Sequence, residues 1–124
     1  MIDIKNYKIT IENPKGSYKS FQIEGDPLWS PYPLKGITYP VDYGSIDGYR
    51  GEDKAELDIF VGTGDKNGYI KVWRLDVPKE TKFFMRLSDR ELEDILEVFK
   101  PVLLKNKILN DENFVLEIEK FKID

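Results

Sequence analysis

The chemistry-bearing residues concentrate between Tyr39 and Asp58, in YPVDYGSIDGYRGEDKAELD, where tyrosines, turn glycines and carboxylates crowd together with little apolar periodicity. Asp53 and Asp58 flank a short loop that leads into the apolar run Ile59-Phe60-Val61. A carboxylate placed where a loop enters a rigid strand is well positioned to hold a hard cation. The commoner meaning of such a segment is a solvated acidic loop. The rest of the composition narrows the choice. The chain has no Cys and no His, which excludes disulfides, thiolate nucleophiles, the usual His-assisted nucleophiles and imidazole metal ligands. Any chemistry must run on carboxylates, Lys, Arg, Tyr or a bound metal, and oxygen donors favour Mg²⁺, Mn²⁺ or Ca²⁺.

The elements that must position these groups are mostly strands. Tyr7 to Glu12 alternates apolar and polar residues, and Tyr18 to Ile23 does so in imperfect phase. Asn13-Pro14-Lys15-Gly16-Ser17 is a turn by composition. Prolines 27, 31 and 33 assign Gly25 to Gly36 to an edge or a loop, because proline has no N–H for a ladder. Leu57–Val61 and Tyr69–Leu75 are read as strands joined by a hairpin loop over 62–68, and Lys82–Leu87 as another strand. Gly44 and Gly48 read as turn residues. A helix is expected after Ser88, where Ser88 and Glu91 form a capping box and Leu92, Ile95, Leu96 and Phe99 recur at helical spacing up to Pro101. After a turn at Asn110–Asn113, Phe114, Leu116 and Ile118 alternate with polar or smaller residues and predict a last strand. The pattern reads as a small β-barrel with one helix packed on it, in a single domain over residues 1–124.

The charge is −4, with 23 acidic and 19 basic residues, which argues against a nucleic-acid backbone as the main partner. No segment has the length of an apolar membrane span. The N-terminus MIDIKNYKITIE is charged and strand-like rather than a signal peptide. The expectation is a soluble, cytoplasmic protein without a membrane or nucleic-acid partner.

YPVDYGSIDG followed by ED-x-x-x-LD-IFV resembles the soluble, Mg²⁺-dependent inorganic pyrophosphatases of family I, in which Y-P-x-N-Y-G-[YF]-I precedes D-x-D-P-x-D and a hydrophobic strand. ITIENPKGSYKSF upstream resembles the family's E-x-P…K-x-E segment, and IKVWRLDVPKETKFF downstream its strand followed by D…D-x-K. The likeness covers roughly the first two-thirds of the chain. It implies a mainly β, α+β fold: a distorted OB-like five-stranded barrel with one main C-terminal helix. It also implies hydrolysis of pyrophosphate or a related phosphoanhydride by a metal-activated water, with Mg²⁺, or alternatively Mn²⁺, as cofactor. The same resemblance places Glu12, Asp53, Asp58, Asp76 and Glu80 as metal ligands, and Lys19, Tyr43 and Lys82 on phosphate. Asp58, Tyr43 and Lys82 would then take part in catalysis. Such a set has a chemical rationale, since a polyanionic phosphoanhydride needs both cationic side chains and metal charge to react. The family commonly assembles into homo-oligomers, for which the Pro-rich stretch around Trp29 is the candidate surface.

The sequence also departs from the family. Gapless alignment puts Ala55 where the middle carboxylate of D-x-D-x-x-D belongs, a position that both binds metal and activates water. Glu56, one position on, is the replacement to consider in catalysis. Lys54 beside it is expected to add positive charge near the metal site, and Glu80 replaces an Asp. The acidic residue expected after Lys19 falls near Phe21, the arginine before Y-P has no clear equivalent, and Phe99-Lys100 is a weak match to a tyrosine-lysine pair. These departures set a second reading beside the hydrolase: a non-catalytic protein of the same fold that binds a phosphorylated ligand or partner. A barrel binding single-stranded nucleic acid through Trp29, Trp73 and Tyr49 ranks third, since the chain lacks a basic cluster.

Overall fold

A computed structural model of the chain describes residues 6–21, 32–75 and 77–123. Asp76, Trp29 and most of the Pro-rich stretch lie outside the described residues. The elements run β1 (Ile9–Asn13), β2 (Tyr18–Ser20), β3 (Gly36–Thr38), β4 (Asp42–Arg50), β5 (Glu56–Val61), β6 (Lys66–Val72), β7 (Glu80–Leu87), α1 (Asp89–Phe99), β8 (Leu103–Leu109) and α2 (Asp111–Glu119). Six strands form one sheet in the order β1-β4-β5-β7-β6-β8, and β2 pairs with β3 in a second, two-stranded sheet. All pairings are antiparallel except β5 with β7. The fold is therefore mainly β with helices, as expected, with β8 adding a strand beyond the five of the expected barrel. Among the described residues no helix is long and apolar enough to cross a membrane.

Strand alternation divides the core in two. Phe60, Ile70 and Phe84 face one side of the sheet, where they pack with Ile37 and with Leu92, Ile95 and Phe99 of α1. Leu57, Ile59, Tyr69, Phe83 and Met85 face the other, against Phe114 and Ile118 of α2. The chemistry-bearing side chains of β4, β5 and β7 share the first face.

Several local expectations change. The run from Tyr39 to Asp58 contains the nine-residue strand β4 rather than mostly turns. Gly44 sits within it because β1 passes directly over: a Cβ there would lie 1.9 Å from the carbonyl oxygen of Thr10. Residues 62–68 do not close a hairpin, because β7 lies between β5 and β6. The chain leaves β5, and the amides of Gly62, Gly64 and Asp65 donate to the carbonyls of Met85, Arg86 and Leu87 as it rounds the end of β7. Gly64 is required there, since a Cβ would meet the Ser88 amide nitrogen at 2.4 Å. Local alternation carried no information about this long-range insertion.

The last predicted strand is a helix. Asn110 caps α2 by accepting a hydrogen bond from the Asn113 amide at 2.8 Å. Phe114 and Ile118, four apart, are both fully buried while Leu116 is exposed, which is helical and not strand spacing. Strand β8, unforeseen in the sequence, covers the edge of β6, and its residues are mostly exposed. The Ser88–Glu91 capping box forms as expected, with amide-to-side-chain distances of 3.1 and 2.8 Å. Pro101 ends α1 in a short 3₁₀ turn, Lys100–Val102.

Candidate functional site

One cavity of about 620 Å³ opens on the α1 side of the sheet. Its wall includes Glu12, Lys19, Tyr43, Asp53, Ala55, Glu56, Asp58, Glu80 and Lys82. Every described residue singled out as a candidate ligand or catalytic group therefore lines the same space. The assembly follows from strand geometry. Tyr43 and Ser45 on β4, Glu56 and Asp58 on β5, and Glu80 and Lys82 on β7 are each two apart and point to one face. Tyr43 lies opposite Phe60, and Ser45 opposite Asp58. The parallel β5–β7 register, Ile59 beside Phe83, brings Asp58 next to Lys82.

Lys82 is the hub. Its Nζ donates to Tyr43 Oη at 2.7 Å, Asp58 Oδ2 at 3.0 Å and Glu80 Oε1 at 3.3 Å. An ammonium has three hydrogens, so these partners use all of them. Burial works against the charge on Lys82, but Tyr43, Asp58 and Glu80 outweigh it and hold the ammonium well above the usual lysine range. Burial also pushes Asp58 upward, yet the Lys82 ammonium, with hydrogen bonds from Glu80, Lys82 and Tyr43, keeps it below the usual carboxylate range. Glu80 goes the other way, to about 7: burial dominates, opposed by Lys82, and its hydrogen bond to Asp58 favours the protonated form. Burial raises Tyr43 well above its ordinary value and Tyr39 to about 12. The two rings stack with centroids 4.8 Å apart, so at neutral pH Tyr43 is a neutral hydroxyl on a packed aromatic.

The sequence reading missed a second cation. Arg74, just beyond β6, brings Nη1 to 3.1 Å from Asp53 Oδ2 and 3.0 Å from Glu80 Oε2. Nothing in the spacing of WRLD marks it, because the contact crosses from one strand end to a loop and to a neighbouring strand. The loop at 51–55 is fixed on both sides. Asp53 Oδ1 accepts from the Ala55 amide at 3.0 Å. Glu52 accepts from the Thr81 amide at 3.0 Å and from its hydroxyl at 2.6 Å, tying the loop to β7. Ala55 lines the cavity, whereas Lys54 is exposed, with φ of 65°, and is not part of the wall. Lys19 on β2 is exposed at the rim, and Phe21 and Phe99 line the wall.

Ser45 is also new. Its buried hydroxyl lies 2.9 Å from Glu12 Oε1 and 2.8 Å from Glu56 Oε2. One hydroxyl proton cannot serve two carboxylates at once, and among the described residues no cationic side chain pairs with either glutamate. The wall thus has two unlike parts. Asp53, Asp58 and Glu80 are held by Arg74 and Lys82, while Glu12 and Glu56 have no cationic partner among the described residues. Among the described residues no three acidic side chains converge as a ready metal cluster. Glu12 and Glu56, both exposed, are oxygen donors without a cationic partner among the described residues, the donor type that a hard divalent cation takes. Such a cation does not fit between Asp53 and Glu80, where a guanidinium nitrogen already stands.

A family model for inorganic pyrophosphatase matches residues 1–86, which end within β7. The chain belongs to the inorganic pyrophosphatase family. Inorganic pyrophosphatases of Corynebacterium glutamicum and Corynebacterium efficiens are 39% and 37% identical to it over 57 residues. That stretch is 44% of this chain and 36% of each relative, so the match spans about a third of the length of those proteins. No solved structure gives a significant match. Family membership accords with the β-rich fold, and β7 with Lys82 is the last element within the match.

Proposed function

We propose that the cavity binds pyrophosphate, or a related phosphoanhydride, and hydrolyses it with the help of a divalent cation. The observation that carries this reading is the meeting of Lys19, Tyr43, Lys82, Glu56 and Asp58 on one wall, in a chain of the pyrophosphatase family. Charge balance supports the cation. Five carboxyl groups, Glu12, Asp53, Glu56, Asp58 and Glu80, face three cations, Lys19, Arg74 and Lys82. A polyanion added to that excess of negative charge needs further positive charge.

In this reading Glu12 and Glu56 hold Mg²⁺ or Mn²⁺, which when bound supplies charge neutralisation and a lower pKa for a water. Lys19 meets the outer phosphate at the rim. Lys82 meets the inner one by giving up its longest contact, to Glu80 at 3.3 Å, while Tyr43 and Asp58 hold its position. Glu56, beside the alanine, accepts the proton of the attacking water. Asp53 holds the loop and Arg74 in place.

Ala55 favours a second reading. It faces the cavity where the family has the carboxylate that binds metal and activates water, so the site is built to bind and has lost turnover. Phosphate release from pyrophosphate, measured with and without Mg²⁺ at neutral to alkaline pH, decides between the two. Mg²⁺-dependent release that is lost in Glu56→Gln and Asp58→Asn supports hydrolysis. No release, with calorimetric binding of pyrophosphate, supports the binding protein. Neither release nor binding refutes both.

A further inference from the structure

The relation of Arg74 to Asp53 and Glu80 bears on how many metal ions this chain uses. Nη1 of Arg74 takes one oxygen from each carboxylate, at 3.1 and 3.0 Å. Two carboxylates converging on a single nitrogen form the arrangement that would otherwise hold a hard cation. Glu80 is almost fully buried, with 3% of its side chain exposed, and Asp53 is 17% exposed. A guanidinium is part of the chain and keeps its positive charge at any ordinary pH.

The geometry points to Arg74 as a built-in cation that occupies the Asp53–Glu80 position and confines divalent-metal binding to the Glu12–Glu56 side of the cavity. Asp53 and Glu80, both assigned by resemblance as metal ligands, are then positioning residues for a guanidinium. The site works with fewer metal ions than its carboxylate count suggests. The inference rests on the proposed pyrophosphate site only for what the metal is for, since counting metal ions needs no pyrophosphate.

The test is Mn²⁺ titration of the full chain followed by the electron paramagnetic resonance signal of free Mn²⁺, without any phosphate ligand. Wild type should bind one Mn²⁺. Asp53→Asn should bind it within about twofold of the same affinity, because Asp53 touches Arg74 and not the ion. Glu12→Gln should weaken it by about tenfold or more, the scale of losing a charged oxygen ligand. Arg74→Met should gain a second Mn²⁺, and Arg74→Lys should not, because it restores the charge. A tenfold loss in Asp53→Asn, or two Mn²⁺ ions already bound by wild type, overturns the inference. Asp53 lies on a partly exposed loop, so Asp53→Asn remains informative if Arg74→Met fails to fold. Wild type that binds none, with binding gained in Arg74→Met, upholds the role of Arg74 while refuting the Glu12–Glu56 assignment. Failed pyrophosphate hydrolysis leaves all these outcomes readable.

Discussion

Replacing Lys82 by Met should destabilise the protein, and by more at high pH than at low pH. Methionine keeps the aliphatic stem and removes the ammonium, so the loss is mainly electrostatic. Lys82 is buried, with 11% of its side chain exposed, and its contacts to Asp58 and Glu80 are 3.0 and 3.3 Å. Removing one partner of a buried ion pair typically costs about 3–5 kcal/mol. Asp58 retains 22% exposure and Glu80 keeps Arg74 at 3.0 Å, which places the expected loss near the lower end, about 3 kcal/mol at about pH 8. For a urea slope of about 1.5 kcal/mol per molar, the unfolding midpoint falls by about 2 M.

The pH dependence has a definite sign. In the wild type the folded pKa of Asp58 is held down, so its contribution to stability is present above the ordinary carboxylate range and is lost as pH falls. In Lys82→Met the depression is gone, and the Asp58–Glu80 pair binds a proton more readily folded than unfolded. The penalty then stands at high pH and is relieved as the pair takes up a proton. Each pH unit over which one extra proton is held offsets about 1.4 kcal/mol. Urea unfolding of both proteins at about pH 5 and about pH 8 should therefore show a gap that widens with pH by roughly 1 kcal/mol or more. An equal loss at both pH values, or a larger one at pH 5, would refute the idea that Lys82 is placed by its charge.

Other consequences are open to equally direct measurement. Glu80, raised to about 7, binds a proton more tightly folded than unfolded, so its contribution falls as pH rises from the ordinary glutamate range through 7; Glu80→Gln should flatten that part of the stability–pH curve in urea titrations. Ser88→Ala removes the α1 cap and should cost about 1 kcal/mol by chemical denaturation. Phe114→Ala, at a fully buried position on α2, should cost about 3–5 kcal/mol, whereas Leu116→Ala on the exposed side should cost well under 1 kcal/mol. Ala55→Asp restores a carboxylate to the cavity wall and should raise Mg²⁺-dependent phosphate release if the second reading of the site holds.

What could be read in the sequence depended on whether the signal was local. The capping box at Ser88–Glu91 and the amphipathic spacing of Leu92, Ile95 and Phe99 are decided within a few residues, and α1 forms where they placed it. The Phe114–Ile118 run was ambiguous, because apolar residues two apart fit a strand while those four apart fit a helix. Burial of Phe114 and Ile118, with Leu116 left in solvent, settles it for the helix. The insertion of β7 between β5 and β6 is a non-local fact with no mark in the loop except its glycines, which read equally well as a hairpin. The candidate residues around Tyr43, Asp53, Asp58 and Lys82 were legible through resemblance to a family. Ser45 and Arg74 were not, since each acts through partners brought near by sheet register.

Arg74 changes what the missing carboxylate means. Taken alone, Ala55 is a lost ligand at the centre of a metal motif. Beside Arg74 it reads differently: where the motif's middle carboxylate is absent, a positive group bridges the neighbours Asp53 and Glu80. That part of the wall is close to neutral without metal, and its hydrogen bonds join the loop at 51–55 to β7. The opposite part, where Glu12 and Glu56 compete for one serine proton, keeps the charge that a cation or a proton must answer. In the proposed site, metal binding therefore falls to Glu56 more than to the motif carboxylates that first drew attention to the segment. If Glu56→Gln leaves Mg²⁺-dependent turnover and Mn²⁺ affinity both unchanged, the division of the cavity into a neutral and a charged half has no functional weight.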